Sequence, residues 1–327
     1  MNDTAALLLL PRLRVQHANA VSGPLSWGFP SPTAFTGFTH ALERRLSAAF
    51  EIEFGGVGIV CHRFEPQVFK PAGRGNQVFS LTRNPIIAGW KKYDPKPAAL
   101  VEEGRAHLEI SLLIEVVTEL DEAEANERLE QLLIEVYAMR LAGGSILPAH
   151  HDGKVWKPQW FEWPEYADGR REKFRQVRRR LLPGFALVER EDLLREHLGE
   201  LRRQDADADA DALDALLDLC RLNIEPVGPN PNNPEQTLWE YRGKPGWLSP
   251  IPVGYAALSP PYPPGNVINA RDQHHPFRFV ESLYSLGQWI SPHRLTGLEQ
   301  LLWRHTADSE TGIYRCINQY TDTHRNA

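Results

Sequence analysis

The chain opens on an unbroken apolar run, Leu7 to Leu10. After Pro11 it alternates, with Leu13 and Val15 on one side and Arg12, Arg14 and Gln16 on the other. That period of two predicts a strand with a cationic exposed face. Pro11 removes a ladder donor, so a bulge or break is expected there. A loop of small and polar residues, His17 to Pro30, precedes a helix. Ser31 is a good N-cap and Pro32 suits the first helical position, while Phe35, Phe38, Leu42 and Leu46 recur at helical spacing. The free N–H groups of this helix start would point back at the loop, which suits a polyanion.

Gly55-Gly56 breaks the chain before a second strand, Val57 to Phe64. Residues 66–99 are rich in Pro, Gly and cations (Lys70, Arg74, Arg83, Lys91, Lys92, Lys96) and predict a long basic loop or hairpin. Two readings stand: a functional arm or a solvated insertion. Leu108 to Val117 is the cleanest alternation. Asp121 then caps a helix with Glu124 in the capping-box position, and Leu129, Leu132, Leu133, Val136 and Met139 form its stripe. The helix ends at Gly143-Gly144, and Ser145-Ile146-Leu147 starts another strand. This β-α-β-β-α-β order over residues 7 to about 148 predicts an α+β fold with a ferredoxin-like, RNA-recognition-type split βαβ core.

The second half changes character. Residues 149–165 are aromatic and irregular. Arg170 to Arg180 is a basic run in which Phe174, Val177 and Leu181 fall at helical spacing, so it predicts an amphipathic helix that offers either phosphate contacts or a solvated face. A helix is expected over 192–203. After an Asp-Ala repeat comes another, with Leu213, Leu216, Leu217 and Cys220 on its core face. Val227 to Pro234 reads as a flexible loop, and Gly246 to Pro264 as irregular or edge-strand packing. Two closing helices are expected, one from about Phe277 to Trp289 and one capped by Ser291-Pro292 that carries Leu295, Leu298 and Leu302. The division is 1–148 for the βαββαβ domain and 149–327 for a mostly helical appendage that packs back on it.

Composition narrows the chemistry. Net charge is −6 over 327 residues, so any nucleic-acid contact must come from segregated patches. Cys61, Cys220 and Cys316 are isolated, which fits reduced thiols. There is no apolar run long enough for a bilayer and no basic lead before Leu7, so a cytoplasmic location is expected. The Gly143-Gly144 loop could line backbone N–H groups on a phosphate or serve as a plain helix C-cap. His150-His151-Asp152 lacks further ligands at a helical offset, so no metal and no cofactor are expected. His17, His40 and His62 lie around the first helix and the two early strands and are candidates for a general base on an RNA 2′-hydroxyl.

Several blocks together resemble a known family: LLLLPRLRVQHANAVSGPLSWGFPSPTAFTGFTHAL from Leu7, GVGIVCHRFE from Gly56, AMRLAGGSILP from Ala138, RRLLPGFALV from Arg179, GWLSPIPVGYAALSP from Gly246 and FVESLYSLGQWISPHRL from Phe279. They are collinear from about residue 5 to about 305. They look like the second Csy subunit, the Cas-five-like (RAMP-like) protein of type I-F CRISPR surveillance complexes. The resemblance implies a non-catalytic role in antiviral defence. It implies pairing with the large Csy subunit, a grip on the 5′ handle of the CRISPR RNA, further Csy backbone subunits along the guide, and target DNA met through the assembled complex. No membrane partner is expected.

On that basis Arg12, Gln16, Asn19 and Ser22 would line the first strand and loop against RNA. Gly143, Gly144 and Ser145 would offer backbone donors, with Arg140 beside them. Arg63, Arg74, Arg83 and Arg105 are candidates from the sheet and the basic arm, and Arg178, Arg179 and Arg180 from the helix. Trp27 or Phe29 would stack on a base or pack in the core. The alternative function is a metal-independent endoribonuclease that cuts CRISPR repeat RNA with His17, His40 and His62, as some Cas-five-like relatives do.

Overall fold

The structure is a computed structural model. It describes residues 4–46, 51–73, 75–79, 81–82, 87–91, 94–97, 101–148, 150–151, 154–203, 209–270 and 272–321; within 81–102 and 150–155 only the backbone is described. It is mixed α/β, with five helices and an eleven-stranded antiparallel sheet among the described residues.

The first half runs strand-helix-strand, then small paired segments, then strand-helix and a two-strand hairpin. Strand β1 is Ala6–Asn19, helix α1 Pro32–Leu46, β2 Phe54–Pro66, β3 Arg105–Val116 and α2 Glu122–Ala138. A short hairpin of β4 (Arg140–Leu141) and β5 (Gly144–Leu147) completes it. The sheet runs β4-β5-β1-β3-β2, so β3 lies antiparallel between β1 and β2. Across residues 68–102 the region of the expected basic arm carries three small paired segments: Val68–Phe69 with Val78–Phe79, Leu81–Thr82 with Val101–Glu102, and Ile87–Lys91 with Asp94–Pro97.

Helix α1 buries Phe35, Phe38, Leu42 and Leu46, as its spacing predicts. Its start is not open to an anion. Ser31 Oγ accepts from the Thr33 N–H at 3.1 Å and donates to the Pro252 carbonyl at 2.7 Å, and Pro32 is buried. Asp121 caps α2 by accepting from the Ala123 N–H at 2.8 Å. Glu124 pairs with Arg128 rather than closing a capping box.

The second half departs from expectation. It contributes β6 (Gln159–Glu162), α3 (Ala167–Arg180), β7 (Phe185–Glu189), α4 (Glu191–Leu201), α5 (Ala212–Cys220), β8 (Leu248–Ala257), β9 (Val280–Ile290), β10 (Leu302–Asp308) and β11 (Ile313–Asn318). The helix expected over 277–289 is instead β9, paired on both edges with β7 and β8. Phe279, Leu283, Leu286 and Ile290 satisfy a period near 3.6, yet the partner strands decide the conformation. The second closing helix is two 3-10 turns, Pro292–Arg294 and Leu298–Gln300, separated by Gly297. Leu295, Leu298 and Leu302 are nonetheless buried. The loop expected over 227–234 is a hairpin, Ile224–Asn230 with Asn233–Tyr241. Helix α5 buries Ala215, Leu216 and Leu219, while Leu213 and Leu217 are exposed. Asp211 caps it with a full capping box.

The sheet continues β2-β7-β9-β8-β11-β10, and β10 pairs back on β2. One edge of β2 therefore serves β7 at Val60 and Cys61 and β10 at Val57 and Gly58. The six strands close on themselves and pack around α1. Trp303, fully buried, donates its indole N–H to the Leu187 carbonyl at 2.8 Å. Gly254 lets β8 and β11 approach, because a Cβ there would lie 1.9 Å from the Tyr314 carbonyl oxygen. Strands β7 and β10 of the second half hydrogen-bond directly to β2 of the first. No helix among the described residues is long and apolar enough to cross a membrane.

Candidate nucleic-acid interface

The two faces of the central strands are covered differently. Leu8, Leu10, Ile59, Leu112 and Ile114 pack under α1 and α2. On the opposite face, Leu7, Leu9, Val60 and Leu113 pack under Phe174, Val177 and Leu181 of the α3 segment, together with Leu295 and Leu298. This cover explains the opening apolar run: both phases of β1 are buried there. The basic helix is anchored as its spacing predicts.

Cover on the second face stops midway. In β1, Leu10 pairs with Leu112 but Leu13 pairs with Ile110, so Pro11 and Arg12 form a bulge, as expected at Pro11. Arg12 adopts φ 49, in the left-handed region. The extra residue inverts the phase, sending Leu13 and Val15 to the helix-covered face and Arg14 and Gln16 to the other. Beyond this point no helix covers the second face among the described residues. Alternation places Arg14 and Gln16 of β1, Arg105 and His107 of β3, Arg63 and Glu65 of β2, and Ser145 of β5 on it. Arg14, Gln16, Arg63, Glu65 and Ser145 are exposed. Arg14 has no ion-pair partner among the described residues. Arg63 pairs with Glu65 at 3.0 Å, largely in solvent, where such a pair holds its charges weakly, and Arg105 pairs with Glu103 at 3.5 Å in a half-buried setting.

A polar seam divides the covered half from the open half. Arg12 donates to Glu109 Oε1 at 2.6 Å, and its guanidinium lies 5.3 Å from the Trp156 ring centroid; both charged side chains are only 12% exposed. Ser111 Oγ accepts from the Arg12 N–H at 3.0 Å and lies 2.6 Å from His62 Nε2. His62 Nδ1 lies 2.6 Å from the Pro183 carbonyl, which only accepts, so that nitrogen carries the proton and Ser111 donates to the other. Burial holds the His62 pKa below its ordinary value. Arg12 is therefore a structural ion-pair member, not a free RNA contact. Arg12→Gln should lower stability by about 1–3 kcal/mol, because Glu109 loses its partner in a half-buried setting. Thermal unfolding checks this, and the salt slope of RNA binding should stay near wild type.

The remaining candidates separate. Gln16 is exposed beside Ser145 in the β1–β5 register. Asn19 folds onto its own backbone neighbourhood, donating to the Val21 carbonyl at 2.7 Å, and Ser22 Oγ accepts from the Ser31 N–H at 3.2 Å. The Gly loop is a two-residue hairpin: Ala142 at φ 49 and Gly143 at φ 76 join β4 to β5, as a type I′ turn requires. Gly144 is buried, and a Cβ there would lie 2.6 Å from the Gln16 carbonyl oxygen, so it serves close packing and offers no phosphate cradle. Gly143 faces open space, and Arg140 reaches its carbonyl at 3.4 Å. Phe29 packs against Phe35, Phe64 and Trp289, whereas Trp27 is 65% exposed with its ring edge-on to Phe79 at 5.4 Å. Trp27 and Lys70 line a cleft of about 920 Å³ between the 21–27 loop and the Val68–Phe79 hairpin. Arg178 donates to the Leu295 carbonyl and locks α3 in place, while Arg179 and Arg180 are exposed at the helix end, just before Pro183 of the seam. Arg74 and Arg83 lie outside the described residues.

The three histidines proposed for catalysis do not converge. His17 hydrogen-bonds Gln67, His40 stacks on His305 with centroids 6.2 Å apart, and His62 is spent in the seam. No group of three metal-ligating side chains forms among the described residues.

Sequence comparison fits this frame. The family model for CRISPR-associated protein (Cas_Csy2) matches residues 8–316. The chain belongs to the Csy2 family. A CRISPR-associated protein Csy2 from Pseudomonas aeruginosa (strain UCBPP-PA14) is 52% identical over 327 residues, covering 96% of this chain and 96% of that protein. The resemblance drawn from the sequence blocks, to the second Csy subunit of type I-F CRISPR complexes, thus holds along nearly the whole chain. Within this family member the open half-face adds Arg14, Gln67 and His107 to the sequence candidates. Arg14 was visible as an outward residue of β1, but Gln67 and His107 carry no sequence signal, because only the β2–β3 register brings them to this surface.

Proposed function

We propose that the chain is a non-catalytic RNA-binding subunit of a type I-F CRISPR surveillance complex. In this reading it works in the cytoplasm, pairs with the large Csy subunit, and grips the 5′ handle of the CRISPR RNA. Csy backbone subunits continue along the guide, and target DNA is met through the assembled complex. The strand order β5-β1-β3-β2 with α1 and α2 on one face is taken as the ferredoxin-like split βαβ of RNA-recognition folds, whose helix-free sheet face receives RNA.

The observation that carries the proposal is the helix-free half of the central sheet, with Arg14, Arg63 and Arg105 on it and Arg179 and Arg180 at its border. In an acidic chain, this concentration of weakly paired arginines favours one polyanion at one place over indiscriminate binding. Trp27 offers a stacking surface at the far end of the β1 loop. The separate settings of His17, His40 and His62 support a role without cleavage.

The test is co-purification with the large Csy subunit, then titration of repeat-derived 5′-handle RNA in chelator at several salt concentrations. Tight, handle-dependent, salt-sensitive binding without cleavage is expected. Indifference to the handle would leave a generic RNA scaffold. A defined cut abolished by a His17 substitution would establish the nuclease instead.

A further inference from the structure

On the open half-face, two imidazoles share one amide. Gln67 follows directly on β2, and its backbone N–H is tied to the Arg105 carbonyl at 2.7 Å. Its side-chain nitrogen lies 3.0 Å from His17 Nδ1 and 2.9 Å from His107 Nε2. The rings meet edge-on with centroids 5.1 Å apart. His17 sits at a second β1 bulge, between Val15 and Ala18, at φ 56, and Arg105 reaches its carbonyl at 3.5 Å.

The amide can meet the two rings in either of two orientations, and each sets a different donor pattern. An amide NH₂ donates both hydrogens and accepts none, so each ring must present a bare nitrogen to it. Both imidazoles are then neutral, with their protons on the far nitrogens. For His107 that nitrogen is Nδ1, which is buried without any partner. A buried donor left without an acceptor in this way is destabilising. A half-turn of the amide replaces the donor by Oε1, and the same geometry then fits two rings that each point an N–H at the oxygen. That second state accommodates protonated imidazoles.

The surrounding charges leave the imidazoles as the place where charge can be added. Glu65, opposite His107 in the register, pairs with Arg63; Glu109 pairs with Arg12; Glu103 pairs with Arg105. No carboxylate hydrogen-bonds either ring among the described residues. Arg14 and Arg105 flank the cluster and would be joined by two imidazolium groups.

Resting on the RNA-binding reading above, we propose that His17, Gln67 and His107 form a phosphodiester subsite that takes up protons as RNA docks. A phosphate oxygen over the pair stabilises the charged rings, the amide turns, and each ring takes one proton from solvent. Imidazole is the side chain whose ordinary titration range makes this accessible near neutral pH.

The experiment uses the full chain with its large Csy partner and the handle RNA, at constant ionic strength. Between about pH 8 and about pH 6, affinity should rise roughly tenfold. Calorimetric titration in two buffers of different ionisation enthalpy should count a net proton uptake. His17→Asn is a variant the left-handed backbone tolerates well and whose site is exposed, so folding is preserved. In it, the affinity ratio between the two pH values should fall below about twofold, and His107→Gln should behave likewise. Wild-type binding at both pH values with no such rise, or a rise that survives in His17→Asn, overturns this inference alone. Absence of RNA binding at any pH overturns the RNA-binding reading with it.

Discussion

Replacing Glu115 by Ala should lower stability by about 3–5 kcal/mol, a large part of what holds a domain folded. Glu115 is 3% exposed, at the end of β3 furthest from the open face. Its carboxylate accepts from Arg304 at 2.9 and 3.1 Å, from the Gly56 N–H at 2.7 Å and from the Thr4 hydroxyl at 2.5 Å. Arg304 in turn binds Glu299. Gly55 wraps this carboxylate so closely that a Cβ would lie 2.3 Å from its oxygen. Burial alone would raise the carboxyl pKa, but the Arg304, Gly56 and Thr4 hydrogen bonds outweigh it and hold the group below the ordinary range. Because the folded pKa is the lower one, the unfolded chain binds more protons as acid is added. The contribution is therefore complete above the ordinary glutamate range near about 4.3 and is lost as pH falls through the folded value. Urea midpoints should separate wild type from Glu115→Ala widely at neutral pH and converge in acid. In Glu115→Leu with Arg304→Met, part of the loss should return, since a hydrophobic pair replaces the buried ions. The remainder belongs to the orphaned Gly56 N–H. A neutral-pH loss under about 1 kcal/mol would reduce this network to an ordinary surface pair.

How much of this was legible depended on whether the deciding partner was local. The Pro11 bulge was readable because a missing N–H is a property of one residue. The anchoring of α3 was readable because Phe174, Val177 and Leu181 repeat within the segment itself. Strand β9 was not, since its apolar residues satisfy two periods and the choice is made by β7 and β8, far away in sequence. Arg12 looked like an exposed cation on a polar phase. Its partner Glu109 is 97 positions distant, and the bulge inverts the phase on which the exposure argument rested. Glu115 likewise sits in the polar phase of a clean alternation, and nothing in the pattern marks it as buried. The candidate site was legible as a cationic strand face, but the extent of that face was not, because it is drawn by where α3 stops covering the sheet.

Substituting Arg14, Arg63 and Arg105 together by Gln should weaken handle RNA binding about a hundredfold, at roughly 1 kcal/mol for each charged contact. It should also flatten the salt dependence. Each lost phosphate contact on a single strand removes about 0.7 from the slope of log affinity against log salt, so three remove about 2. Stability should fall by about 1–2 kcal/mol, because the exposed Arg63–Glu65 pair contributes little while the half-buried Arg105 loses both Glu103 and the His17 carbonyl. Measuring both quantities on one variant separates loss of interface from loss of fold, a separation that Arg12 cannot offer because its guanidinium is committed to the seam. Arg179→Gln with Arg180→Gln provides the spatial control. Those two side chains lie beyond the seam, at the end of α3, and should contribute a smaller loss. If the triple variant keeps wild-type affinity and slope while the α3 pair abolishes both, the RNA path runs along the helix end and the open half of the sheet serves something else. Equal partial losses would mean that the strand crosses the seam and that both sides of Pro183 hold it.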